Sequence, residues 1–130
     1  MEKASEDRQL AIHDETTIIG NYNRMFSYLY RYMTREVGPI TEFVLKKYLM
    51  ELSENHSSVL KNVGLKKDGT IDTAAIRVNL SEISKDKRED LLLTSLNEFL
   101  YAAILAVKKT LGTEHESRVI ETLKDFRPEL

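Results

Sequence analysis

The chain has 130 residues, of which 42% are hydrophobic and 31% charged, and this size and composition fit one globular domain. Nineteen Lys and Arg residues against 21 Asp and Glu give a net charge of -2, which disfavours a nucleic-acid-binding domain because such domains present a basic surface. The sequence contains no cysteine, so disulfides, a thiolate nucleophile and a zinc site with thiolate ligands are excluded.

The amino-terminal residues 1–15 are polar and acidic, with five acidic and two basic side chains. They lack the basic-then-apolar order of a secretory signal, so we expect a cytoplasmic protein. We predict an acidic tail or weak helix over residues 1–15, followed by a helical bundle domain over residues 16–130. The longest apolar region, residues 91–107, includes polar residues such as Thr94 and Glu98, and we therefore expect a core helix and no membrane partner.

The first hairpin is predicted from a change of pattern near the start of the domain. From Thr17 the apolar residues recur every three or four positions, which predicts a helix with one buried face over residues 17–37. Gly38 suits the left-handed conformation that follows a helix, and Pro39 suits the first turn of the next one. A second helix is therefore predicted over residues 39–54, antiparallel to the first.

Residues 56–83 carry no long periodic pattern and predict short elements. The Asp-Gly pair at positions 68 and 69 predicts a tight turn, because these residue types tolerate a positive φ. The turn lies in an irregular or hairpin segment near residues 64–72, in which Leu65 and Ile71 are expected to pair. Asp72 then offers an N-cap to a short helix.

The strongest helical pattern covers residues 86–111 and ends at Gly112. Asp86 begins a predicted capping box, and Thr113 begins another that opens a final helix over residues 113–126. These two helices form a second hairpin. The predicted fold is an all-α, single-domain bundle of four to five helices built from the two hairpins.

No motif for catalysis or metal binding meets its chemical requirements. Residues 64–70 have the glycine spacing of a phosphate loop, but Thr70 replaces the required lysine, and the same turn lacks three ligands of a calcium loop. His13, His56 and His115 are far apart and lack the spacing of metal-ligand pairs, so we interpret each as a surface histidine. The sequence predicts no catalytic residue, no metal site and no cofactor.

The clearest interaction signal is an aromatic and basic stripe on the first long helix, on a side largely distinct from the apolar face. The stripe consists of Arg24, Tyr28, Arg31, Tyr32 and Arg35. Tyr and Arg are enriched in interface hot spots because they bury a large area while keeping a polar group. We predict that the stripe binds a protein partner. The alternatives are a central bundle helix whose tyrosine hydroxyls reach solvent, or nucleic-acid binding by the arginines, which the acidic net charge disfavours.

A second candidate site lies on the helix predicted over residues 86–111. Glu98 and Tyr101 are one turn apart in a strip of small and polar residues, and a buried carboxylate there would need a partner or a proton. These two residues are the candidates for a small-ligand pocket, and haem binding through one histidine is a related alternative. The competing interpretation is a glutamate at the rim of the core, or one paired with Arg77 or Arg31.

The sequence therefore favours a non-catalytic protein-interaction or regulatory signalling module. Because the apolar faces exceed what one small core readily uses, we also expect the chain to self-associate as a homodimer. A bundle that senses a small ligand or cofactor is the first alternative. A weak nucleic-acid binder that uses the Arg and Tyr face of the first helix is the second.

Overall fold

The computed structural model describes residues 2–127, and side chains from residue 15 onward. The chain is an all-α bundle, and no strand occurs within residues 2–127. The helices are α1 (Glu2–Val37), α2 (Ile40–Asn55), α3 (Ser57–Leu60), α4 (Thr73–Ser81), α5 (Lys85–Leu111) and α6 (Thr113–Leu123). The predicted fold class is confirmed, and α3 is only a single turn.

Two helical hairpins form the frame, as the sequence predicts. Gly38, with φ +74°, ends α1, and Pro39 precedes the first residue of α2. Gly112, with φ +102°, lies between α5 and α6. Because these turns are short, each pair of helices packs antiparallel. α5 contacts α1, α2 and α6, so it is the central helix of the bundle.

The core lies where α1 and α5 face each other. The Phe26 and Phe99 rings meet edge to face with centroids 4.9 Å apart, a geometry favoured by the aromatic quadrupole. The buried apolar side chains of α1 are Ile19, Tyr22, Met25, Phe26, Leu29, Tyr32 and Met33. The buried side chains of α5 are Leu92, Ser95, Leu96, Phe99, Leu100, Ala103, Ile104, Ala106 and Val107. The predicted apolar faces of both helices therefore form the core.

The segment between the hairpins folds as two short helices separated by a turn. Leu65 and Ile71 form an isolated antiparallel bridge, which confirms the predicted minimal hairpin. Gly69 occupies the turn with φ +88°, as expected for the Asp-Gly pair. Asp72 caps α4 by accepting a hydrogen bond from the backbone N–H of Ala75 at 3.2 Å, so the predicted N-cap is also confirmed.

Both predicted capping boxes are wrong. α5 begins one residue earlier than expected, with Ser84 as N-cap, and Asp86 lies inside its first turn. Gly112 is the N-cap of α6, because its left-handed backbone joins the two helices directly and leaves Thr113 in helical conformation. Neither N-cap makes a side-chain hydrogen bond. The acidic residues of the first turns still interact favourably with the positive helix ends.

α1 begins at Glu2, so its backbone continues through the residues where we expected an acidic tail or weak helix. The domain boundary predicted near residue 15 stays a prediction, and His13 lies outside the residues whose side chains are described. Among the described residues, α5 is the one helix long and apolar enough to cross a membrane. Half of its apolar window is buried in the bundle, as in the core helix of a soluble protein, so the signal for a membrane span is weak.

Candidate binding groove on α1

The predicted stripe on α1 divides into exposed arginines and packed tyrosines. Arg24, Arg31 and Arg35 are exposed, whereas Tyr28 is half-buried and Tyr32 is 8% exposed. The two residue types therefore have different roles. The arginines are open to solvent, and the tyrosines contribute to the bundle itself.

The tyrosines hold the carboxy-terminal part of the chain against α1. The Tyr32 hydroxyl lies 2.7 Å from Nδ1 of His115, and the two rings are edge to face. The Arg35 guanidinium lies 5.3 Å from the centroid of the Tyr32 ring, which is a cation–π distance. Tyr28 packs on Phe126 with ring centroids 6.4 Å apart. His115 is thus half-buried between helices, because α6 places it opposite Tyr32.

An open groove of about 310 Å³ runs along the side of α1 that carries two of the arginines. We call it the α1 groove, and it is lined by Asn23, Arg24, Ser27, Arg31, Thr70 and Phe126. The turn that contains Thr70 lies on one side, and the segment after α6 that contains Phe126 supplies another wall. The groove therefore combines residues from three parts of the chain that are distant in sequence.

The turn is fixed to α1 by close packing at Gly69. A Cβ added to Gly69 would lie 2.3 Å from Tyr30 Cβ and 3.2 Å from Ser27 Cα, so only glycine permits this approach. Asn23 adds polar contacts to the same segment. Its Oδ1 accepts the backbone N–H of Ile71 at 2.9 Å, and its Nδ2 donates to the Thr73 hydroxyl at 3.2 Å.

The Phe126 wall is anchored by the next residue. The Arg127 guanidinium donates from Nη1 to the Tyr22 hydroxyl and to Oδ1 of Asn97, and it lies 5.4 Å from the centroid of the Tyr22 ring. The Tyr22 hydroxyl in turn donates to Asn97 Oδ1. This polar cluster links α1, α5 and the segment after α6, and so holds Phe126 beside α1.

The groove carries two arginines that form no ion pair with the described residues. Neither Arg24 nor Arg31 forms an ion pair within the described part of the chain, and the Arg31 side chain donates from Nε to the Ser27 carbonyl at 3.4 Å. Asp68 lies two residues before Thr70, and its carboxylate accepts the Thr70 hydroxyl at 2.6 Å and the Thr70 N–H at 3.0 Å. These hydrogen bonds lower the pKa of Asp68, the hydroxyl being the larger cause.

The second predicted site has a different environment. Glu98 is exposed and Tyr101 is 54% exposed, because their side of α5 faces away from Leu96 and Phe99 in the core. Neither residue lines the α1 groove. Glu98 lies at the surface as the competing interpretation expected, but within the described residues it forms no ion pair with Arg77 or Arg31. Arg77 donates to the Thr16 hydroxyl instead.

Several residues that build the site were not singled out from the sequence as site residues. They are Asn23, Phe126 and Arg127. No sequence signal marks Arg127, because its partners lie 105 and 30 positions away.

Within the described residues, no group of three or more His, Asp or Glu side chains is placed to hold a metal ion. Comparison with known proteins finds no matching family model, no matching curated protein and no matching solved structure. The function of the chain is therefore inferred from the chemistry of the α1 groove.

Proposed function

We propose that this chain is a non-catalytic interaction module that binds a protein partner in the α1 groove, in a regulatory or signalling role in the cytoplasm. The observation that carries the proposal is the pair of exposed arginines, Arg24 and Arg31, beside an open groove with an aromatic wall. Arginine and aromatic side chains are the types that dominate binding energy at protein interfaces.

The rigidity of the groove supports this function. Gly69 packs directly on α1, and the Asn23 amide holds the adjacent backbone, so the wall formed by the turn is fixed before a partner arrives. A preformed site binds more tightly than a mobile one because less conformational entropy is lost on association. The arginines themselves remain exposed and able to reorient toward a ligand.

Self-association is the second part of the proposal, and we assign it to the outer face of α2. Ile40, Phe43 and Met50 are 55%, 72% and 67% exposed and lie on one side of this helix, opposite the buried Leu45 and Leu49. An apolar stripe of this kind favours contact with a second copy. The α1 groove lies on a different helix, so dimer formation and partner binding are separable.

The oligomeric state tests the second part. We expect sedimentation velocity at micromolar concentration to show a dimer for the wild type and a monomer for Phe43→Glu. Val78→Glu is the matched control, because Val78 is an exposed apolar residue on α4 with 61% exposure. A wild-type monomer, or dimers that both variants weaken equally, would remove self-association through α2.

Partner binding is tested with a random peptide library displayed on phage. The wild-type chain should enrich specific peptides, and an Arg24→Ala, Arg31→Ala double variant should not. Arg118→Ala is the control, because Arg118 is exposed on α6 and lies outside the groove. Its one ion pair, with Glu114, is exposed and long at 4.0 Å. Enrichment that survives the double substitution, or no enrichment at all, contradicts binding at this groove.

A further inference from the structure

We infer that the α1 groove binds an extended acidic segment of a partner protein, with two carboxylates three positions apart and an apolar side chain between them. This inference rests on the proposed function and adds to it the chemical class of the ligand. It follows from the distance between the two arginines, the size of the groove and the nature of its walls.

The spacing of the arginines sets the spacing of the carboxylates. Arg24 and Arg31 are seven residues apart on one helix, which is nearly two full turns, so they lie on the same side about 10 Å apart along the axis. Each guanidinium offers several N–H donors in a planar fork that matches a carboxylate. A ligand that contacts both arginines without drawing their side chains together or apart therefore places two anionic groups about 10 Å apart.

The size of the groove indicates the conformation of the ligand. A volume of about 310 Å³ is at the lower end for binding sites, and a helix is about 10–12 Å across with its side chains. An extended segment fits this space better than a helix does. In polyproline II conformation the chain rises about 3.1 Å per residue and repeats every three residues, so positions i and i+3 face the same side about 9 Å apart.

The remaining lining residues suit the backbone and the middle of such a segment. The Ser27 hydroxyl can donate to or accept from a peptide, the Thr70 hydroxyl can accept while it donates to Asp68, and Phe126 offers a half-buried aromatic surface. An apolar residue between the two acidic ones would contact Phe126. Residues 16–80, which supply all the lining residues except Phe126, carry nine basic and six acidic side chains. The charge of the site thus complements an acidic peptide.

The inference is tested with two fluorescent peptides of identical composition, measured by anisotropy with the full chain. One contains Glu-Pro-Leu-Glu, which places the carboxylates at i and i+3, and the other contains Glu-Glu-Pro-Leu. We expect the first peptide to bind about tenfold more tightly, because only in this peptide can the two carboxylates contact Arg24 and Arg31 at the same time. Arg24→Ala and Arg31→Ala should each reduce its affinity about tenfold and make the two peptides equal.

Controls and contrary results separate this inference from the proposed function. Arg118→Ala should leave both affinities unchanged, and Phe126→Ala should weaken the first peptide but not a version with Gly in place of Leu. Equal binding of the two peptides, or phage peptides that need the arginines but lack acidic residues, overturns the inference and leaves the proposed function intact. Tighter binding of single-stranded RNA than of the first peptide at equal salt overturns the assignment to a protein segment. If no peptide binds in either the phage selection or the anisotropy measurement, both this inference and the proposed function are overturned.

Discussion

Substitution of Gly69 by alanine is the most direct test of how the groove is built. Two physical costs meet at this residue. Its φ of +88° is disfavoured for any residue with a Cβ, and that Cβ would lie 2.3 Å from Tyr30 Cβ on α1. The positions of Ser27 and Tyr30 are set by the helix backbone, so the overlap is relieved only by moving the turn away from α1.

The expected loss is the sum of the two costs. The left-handed backbone contributes about 1–2 kcal/mol, and the steric overlap contributes about 1–3 kcal/mol. We therefore expect Gly69→Ala to lower the free energy of unfolding by about 2–5 kcal/mol. That is a large part of the stability of a domain of this size.

Two other glycines provide matched controls. Gly38 also has a positive φ, of +74°, but an added Cβ would meet nothing within 4 Å, so Gly38→Ala should cost only the backbone contribution of about 1–2 kcal/mol. Gly20 lies inside α1 with open space around it, so Gly20→Ala should stabilise the chain by about 0.5–1 kcal/mol. The three substitutions make the same chemical change in different surroundings.

Urea unfolding followed by far-ultraviolet circular dichroism measures all three variants on one scale. The predicted order of stability is Gly20→Ala above wild type, then Gly38→Ala, then Gly69→Ala. If Gly69→Ala costs no more than Gly38→Ala, the turn does not pack on α1 as described. The wall of the α1 groove would then be wrongly placed.

Three further predictions concern individual polar groups. Thr41 is fully buried and its hydroxyl has no hydrogen-bond partner among the described residues, so Thr41→Val should stabilise the chain by about 1 kcal/mol in urea unfolding, whereas Thr41→Ser should destabilise it. Tyr32→Phe removes the hydrogen bond to the histidine of α6 and should cost about 1 kcal/mol, while Tyr28→Phe, measured in the same way, should leave stability unchanged. The pKa of Asp68 should be below its usual value in a carbon-detected NMR titration and rise in Thr70→Val. Because a lowered pKa stabilises the folded state above the ordinary Asp range, the stability advantage of wild type over Thr70→Val should fade as pH falls through the lowered pKa.

The long helices were predictable because their signals are local and periodic. Ile19, Phe26 and Met33 repeat at helical spacing and are all buried in α1, and Gly38 ends that helix as its lack of a Cβ allows. The Asp-Gly turn and the Asp72 cap also depend on neighbouring residues alone. Helix starts were less predictable, since Ser84 and Gly112 act as N-caps without side-chain hydrogen bonds and so leave little trace in the sequence.

The groove was only partly predictable because its parts meet through tertiary packing. Helical spacing singled out Arg24 and Arg31 on α1, but no local pattern indicates that Phe126 or Thr70 lies beside them. Tyr32 was grouped with the arginines by the same helical geometry. Its burial depends on α6, whose position relative to α1 is set by the hairpin with α5 and not by any local pattern.

The α1 groove exists because the segment between the two hairpins packs along α1 and leaves a strip of that helix uncovered. This arrangement separates the residues that bind from those that set the shape of the site. Gly69 does not line the groove, yet its close contact with Tyr30 fixes the position of Thr70. Gly69→Ala should therefore weaken the acidic peptide even with both arginines intact, whereas Gly38→Ala, in the turn between α1 and α2, should not. The affinities are measured under conditions in which both variants are folded. Equal affinities for the two variants would mean that the turn at Gly69 is not needed to shape the site.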